Sequence, residues 1–132
     1  MWLVDTSVWV EVFARPTRIR LEDDVSVDEV VTALPIVQEV LQGIRDERAF
    51  RIARDSMLAF QIVEPEMRAD LFIEAAQLYR TARRAGFTVR SSVDCLIAAC
   101  AVRHRVGVLH IDRDFDALAR IAPLDSRNLR RR

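Results

Sequence analysis

Apolar residues in this chain follow two rhythms: short unbroken runs, and longer stretches in which they recur every three or four positions. The first rhythm suits strands buried on both faces, and the second suits helices with one face turned to a core. Trp2-Leu3-Val4 reads as a short buried strand ending at Asp5. Thr6 or Ser7 then stands where a helix cap is needed, and Val8, Trp9, Val10, Val12 and Phe13 follow at helical spacing until Pro16 stops the run. Residues 18–29 carry a weak signal, read as a short helix and a turn, before Val30-Val31-Thr32 forms another short strand. Pro35 suits the first turn of a helix whose Ile36, Val37, Val40, Leu41 and Ile44 share one face, with Glu39 beside that face.

The second half repeats the alternation. A helix over 46–60 holds Ala49, Ala53, Met57 and Phe60 in register, and Gln61-Ile62-Val63 is a brief strand before Pro65. Residues 66–85 form the clearest amphipathic helix, with Met67, Leu71, Ala75, Leu78 and Ala82 as its stripe and Gly86 as its left-handed exit. The helix over 91–105 is apolar on all sides from Val93 to Val102, a pattern that belongs inside a fold. Residues 106–111 read as a central strand of a parallel sheet that delivers the chain to Asp112, and 113–121 make a last short helix. This alternation predicts an α/β fold. No repeat or linker interrupts the 132 residues, a length that fits one domain, 1–132, in which 127–132 is a basic tail that need not be ordered.

Composition agrees with an ordered globular chain: 51% hydrophobic and 30% charged residues, with only three Gly and four Pro. No apolar run reaches the roughly 18 residues that span a bilayer, and Met1 leads into Trp2 without a basic segment and signal-like apolar region, so the expectation is a cytosolic protein. Cys95 and Cys100 lie five residues apart in one helix, pointing away from each other and matching no zinc or redox spacing. The formal net charge is zero and every basic residue is Arg, which excludes chemistry that needs a lysine ammonium. Four of the 20 Arg stand at 127, 130, 131 and 132, leaving 16 against 20 acidic residues and a net charge of −4 over 1–126.

Several acids fall where chemistry collects. Asp5 and Asp112 end two of the firmest strands, and parallel sheets gather functional groups at their carboxyl edge. Short right-handed connections bring the helices of Glu39 and Asp94 to the same edge. Asp94 shares a helix face with Ile97, Ala98 and Ala101, so its carboxylate points along the interior, at a cost of several kcal/mol unless something pairs with it. Ordinary readings stand beside these. Ser91-Ser92-Val93-Asp94 fits a capping box, Asp5 and Asp112 suit helix caps, and Glu39 suits a solvated helix face. Asp114 and Asp116 suit a helix first turn, with Asp114 also in reach of the site, and Ser7 is a cap or a partner for metal-bound water. Convergence changes the weighting, because clustered carboxylates repel unless a cation joins them, and oxygen-only ligands select Mg²⁺ or Mn²⁺.

At these residues the chain resembles the PIN-domain family, and within it the VapC toxins of type II toxin–antitoxin pairs. Leu3-Val4-Asp5-Thr6-Ser7-Val8-Trp9 is similar to the family's first acidic motif, and residues 35–43 to its glutamate helix. Residues 91–99 resemble the third motif, and Ile111-Asp112-Arg113-Asp114-Phe115 the last. His110 and Ile111 are a departure, standing before Asp112 where relatives often carry Thr and a polar residue, which bears on the orientation of the fourth acid or on substrate selection. The resemblance implies a three-layer α/β/α sandwich around a mostly parallel sheet, a homodimer, a VapB-like antitoxin and a translation-related RNA substrate such as transfer or ribosomal RNA.

The mechanism expected from this set is hydrolysis of RNA by a metal-activated water, leaving a 5′-phosphate and a 3′-hydroxyl. Asp5 and Asp94 are the principal expected ligands of Mg²⁺, with Glu39 and Asp112 completing the acidic cup. Arg90, Arg113 and the arginine tail are candidates to hold RNA, although surface roles are the simpler reading, and Trp9 and Phe13 belong to the core or a dimer contact. Three other readings compete: a metal-free ribonuclease using His104 and His110, a PIN scaffold that only binds RNA or protein, and a phosphate receiver. The last relies on a lysine, and the chain has none.

Overall fold

The computed structural model describes residues 1–131, so the Arg132 end of the expected basic tail lies outside the described residues. Among the described residues, strands β1 (Trp2–Val4), β2 (Val30–Thr32), β3 (Gln61–Ile62), β4 (Gly107–His110) and β5 (Ser126–Asn128) are interleaved with six α-helices. These are α1 (Thr6–Val12), α2 (Leu34–Gln42), α3 (Glu47–Leu58), α4 (Ala69–Arg84), α5 (Ser92–His104) and α6 (Arg113–Ala119). The weak stretch before β2 holds two short 3-10 helices, Leu21–Asp23 and Val27–Glu29.

Among the described residues the strands form one parallel sheet in the order β3-β2-β1-β4-β5, flanked by helices as a three-layer α/β/α sandwich. Its centre is Leu3, Val4, Val31, Val108 and Leu109, all withdrawn from solvent. Helix α5, expected to be interior, buries Cys95, Ile97, Ala98, Ala99, Cys100 and Ala101. Both cysteines are unpaired, and burial pushes each thiol up to about 11, which makes them inert packing groups. The α4 stripe faces α5 through Leu71, Ala75 and Ala82, and Gly86 leaves α4 with φ +87°, the left-handed exit its position implied.

The order of the strands decides where a site can form. The chain lays down β1, β2 and β3 to one side, then crosses to place β4 and β5 on the other side of β1. Strand order thus reverses between β1 and β4, and their carboxyl ends open a crevice there. Asp5 N–H donates to Leu109 O at 2.9 Å, fastening the two ends together.

Two local expectations are corrected. The cap of α1 is Asp5 rather than Thr6 or Ser7, since Asp5 Oδ2 accepts the Ser7 N–H at 3.0 Å. The stretch expected to be a tail includes an edge strand: β5 pairs with β4 through Val108↔Ser126, Leu109↔Arg127 and His110↔Asn128, and Leu129 is buried behind it. Ser-Arg-Asn carries no apolar alternation, because an edge strand is held by backbone bonds to one neighbour and leaves its side chains largely to solvent.

Candidate functional site

Each proposed acid reaches the β1/β4 crevice from a different element. Asp5 follows β1 and is 3% exposed, its Oδ2 taking both the Ser7 N–H and a 2.6 Å bond from Ser7 Oγ. Burial raises the Asp5 carboxyl above its usual range against the pull of these bonds, and the nearby Glu39 adds to the rise. Glu39, on α2, is half-buried and accepts Thr6 Oγ1 at 2.9 Å through Oε1. Asp112 caps α6 by accepting the Asp114 N–H at 3.0 Å.

Asp94, in the first turn of α5, is the least settled of these groups. The capping box does not form: Ser91 makes no side-chain cap bond, and Asp94 Oδ2 is buried with no hydrogen-bond partner. Its pKa is pushed up to about 8, first by burial and then by the negative charges of Asp5, Asp112 and Asp114, with a hydrogen bond to Asp112 acting the same way. Carboxylate oxygens of Asp94, Asp112 and Asp114 lie within 4.8 Å of one another. Of the expected four, Asp94 and Asp112 belong to that tight group, while Asp5 and Glu39 stand outside it, Asp5 close enough for its charge to act on Asp94 and Glu39 close enough to act on Asp5.

Residues 2–121 match the PIN domain. The chain belongs to the PIN-domain family. This PIN domain is 38% identical to Ribonuclease VapC11 of Mycobacterium tuberculosis, over 98% of its own length and 100% of the relative's. Ribonuclease VapC17 of the same organism is 29% identical over 92% of the chain and 90% of the relative. Among solved structures it is similar to FitAcB from Neisseria gonorrhoeae, with 20% identity, a TM-score of 0.69 and 97% of each chain covered. It is similar also to VapBC-5 from Mycobacterium tuberculosis, with 22% identity, a TM-score of 0.71 and coverage of 96% and 97%.

Sequence reasoning underrated two residues of this PIN domain. Asp114, expected mainly as a first-turn acid, is 2% exposed and sits against the acids. Both its oxygens are engaged by Arg90, Oδ2 by the backbone N–H at 3.0 Å and Oδ1 by Nε at 3.4 Å. Arg90, given a surface role, also reaches Asp112 Oδ1 with Nη2 at 3.1 Å. No motif spacing announces that pair, because it joins residues 24 apart that meet only after β4 is in place. Trp9 is buried and stacks on Phe13 at 5.7 Å. Arg113 is exposed. His104 pairs with Glu64 at 2.8 Å while His110 takes the Asp112 N–H, so the two histidines face different partners rather than each other.

The donor set fits a hard divalent cation. It is made only of oxygen, it carries an unpartnered buried carboxylate oxygen on Asp94, and its mutual repulsion is what such an ion removes. No helix among the described residues is long and apolar enough to cross a membrane.

Proposed function

We propose that this chain is a divalent-metal-dependent endoribonuclease, the toxin of a VapC-like toxin–antitoxin pair, acting in the cytoplasm on RNA of the translation apparatus. The observation that carries the reading is Asp94: a buried carboxylate with a bare oxygen, surrounded by other carboxylates and unrelieved by any capping bond. A fold does not tolerate that cost without return, and relatives named ribonucleases over their whole length suggest what the return is. Asp5, Asp94 and Asp112 would hold Mg²⁺ or Mn²⁺, and Glu39 would complete the cup through water. An ion held there would supply polarisation of the scissile phosphate and a lowered pKa for the attacking water.

The chain's own residues supply orientation and charge. Ser7 fixes the Asp5 carboxylate and Thr6 fixes that of Glu39. Arg90 sets a positive charge beside Asp112 and Asp114, with 55% of its side chain exposed at the mouth where a phosphodiester would arrive. A groove of about 550 Å³ between α4 and α5, lined by Phe72, Tyr79, Arg83, Val93 and Leu96, begins on the same first turn of α5 as Asp94. It offers an apolar surface for a VapB-like antitoxin segment or for a homodimer partner, and the similarity to VapBC-5, a member of the VapBC family of toxin–antitoxin systems, favours the antitoxin.

The test is cleavage of transfer and ribosomal RNA by the purified chain with Mg²⁺, with product ends mapped. Cutting that stops on chelation and leaves a 5′-phosphate supports the reading. Cutting that survives chelation, or that leaves a 2′,3′-cyclic phosphate, defeats it.

A further inference from the structure

His110 is the last residue of β4, 0% exposed, and stands two positions before one of the site's acids. A fully buried imidazole in a central strand is an expensive residue unless its nitrogens have partners, and here Nδ1 takes a backbone hydrogen bond. Nδ1 accepts the Asp112 backbone N–H at 3.2 Å, so Nδ1 carries the lone pair and the proton of the neutral ring sits on Nε2. Asp116 Oδ1 lies 3.7 Å from Nε2, and the other Asp116 oxygen accepts Asn128 Nδ2 of β5 at 3.1 Å. Phe115 closes one side of the ring at 5.2 Å between centroids.

This arrangement accounts for the backbone that enters α6. The N–H of Ile111 goes to Ser7 Oγ, that of Asp112 to His110 Nδ1 and that of Asp114 to Asp112 Oδ1. Without an acceptor at Nδ1, the Asp112 amide is left to seek another partner, and the peptide unit that carries the carboxylate turns with it. The Asp112 side chain then leaves the position from which it meets Asp94 and Arg90.

We propose that His110 is a positioning residue of the acidic site. Its Nδ1 holds the Asp112 amide and so aims the Asp112 carboxylate at Asp94, while Phe115 packs on the ring and the backbone pairing of His110 with Asn128 fixes the residue in the sheet. The inference rests on the reading of the acids as a cation site, and it gives β5 a part in function, since Asn128 of the last strand pairs with the residue that orients the fourth acid.

The experiment uses the full chain with Mn²⁺ alone as probe, in two variants that separate shape from hydrogen bonding. His110→Asn keeps an acceptor at the Nδ1 position but loses ring volume; His110→Leu keeps volume but loses the acceptor. Mn²⁺ affinity by calorimetry is expected to fall about tenfold or more in His110→Leu, the scale of a lost supporting bond behind a metal ligand, and to stay within about threefold of the parent in His110→Asn. Exchange of the Asp112 amide proton is expected to be slow in the parent and in His110→Asn, and fast in His110→Leu. Parent-like affinity in His110→Leu, or equal loss in both variants, overturns the proposal. A nitrogen-15 spectrum of the parent reads the tautomer without any variant, and a proton on Nδ1 overturns it as well. Absence of Mn²⁺ binding in the parent itself defeats the nuclease reading, a result distinct from a difference between the two variants.

Discussion

Ser7 Oγ donates to Asp5 Oδ2 at 2.6 Å while accepting the Ile111 N–H at 3.2 Å, so a single hydroxyl ties the acid that ends β1 to the backbone that ends β4. The sequence offered Ser7 as a helix cap. Its hydroxyl instead joins two strand ends that lie 104 residues apart, and the geometry of the acidic pocket depends on that join.

Removing the hydroxyl tests this directly. Ser7→Ala leaves the Ile111 N–H without its acceptor and frees the Asp5 carboxylate to rotate, at a cost of about 1–3 kcal/mol. Urea denaturation is expected to report that loss, and calorimetry a weaker Mn²⁺ complex. Full metal affinity in the variant would show that Asp5 does not need the bond to hold its direction.

The raised pKa of Asp94, about 8, sets a pH dependence on the metal-free protein. In the unfolded chain this carboxyl has its ordinary acidic value, so between about pH 4 and 8 the folded state binds more protons than the unfolded state. Stability therefore falls as pH rises through that window. The melting temperature without divalent ion is expected to drop from pH 5 to pH 8.5, and Mn²⁺ is expected to restore it at the upper end by binding the charged form. A melting temperature that rises with pH contradicts the placement of Asp94.

Asp94→Asn removes the charge that costs the fold most and that the proposed chemistry needs most. In the metal-free state at pH 8 the variant is expected to melt higher than the parent, because a neutral amide relieves the repulsion from Asp5, Asp112 and Asp114. RNA cleavage is expected to fall by about a hundredfold or more, the scale seen when a charge-stabilising group is lost. Thermal denaturation and a cleavage assay on the same preparation check both halves. Cleavage retained by Asp94→Asn would remove Asp94 from the chemistry, and growth inhibition that persists without cleavage would favour a scaffold that acts by binding alone.

Arg90 lies on Asp112, one of the acids that would hold the cation, and on Asp114 beside it. Its half-exposed charge opposes a nearby divalent ion by about 1 kcal/mol, so Arg90→Gln is expected to tighten Mn²⁺ binding about fivefold. Cleavage is nonetheless expected to fall, because the phosphate loses its nearest protein cation. Weaker Mn²⁺ binding in this variant would mean that Arg90 serves chiefly to hold Asp112 and Asp114 in register.

Gly107 shows a different kind of constraint. A Cβ there would meet the Trp2 ring, with Cε3 at 2.6 Å, inside the β1/β4 pairing of Trp2 with Gly107. Gly107→Ala is expected to destabilise the chain by about 1–3 kcal/mol, read by urea denaturation.

The element order as far as α6, the α/β class, and the positions of Asp5 and Asp112 at strand ends were legible in the sequence because each rests on local information. Apolar runs and helical spacing declare strands and helices within a few residues, and an acid at the end of a strand is visible as such. The tertiary structure alone decided the rest. It made Ser7 a join between β1 and β4 rather than a cap, turned Asp114 and Arg90 into a pair against the acids, left Asp94 Oδ2 without a capping partner, and set His110 on the amide of Asp112. It also made a strand of Ser126–Asn128, whose polar residues give no periodic signal. Most of these contacts join elements far apart in the chain, and the strand order and the packing around the β1/β4 crevice fix them through bonds to which hydrophobic patterning is blind.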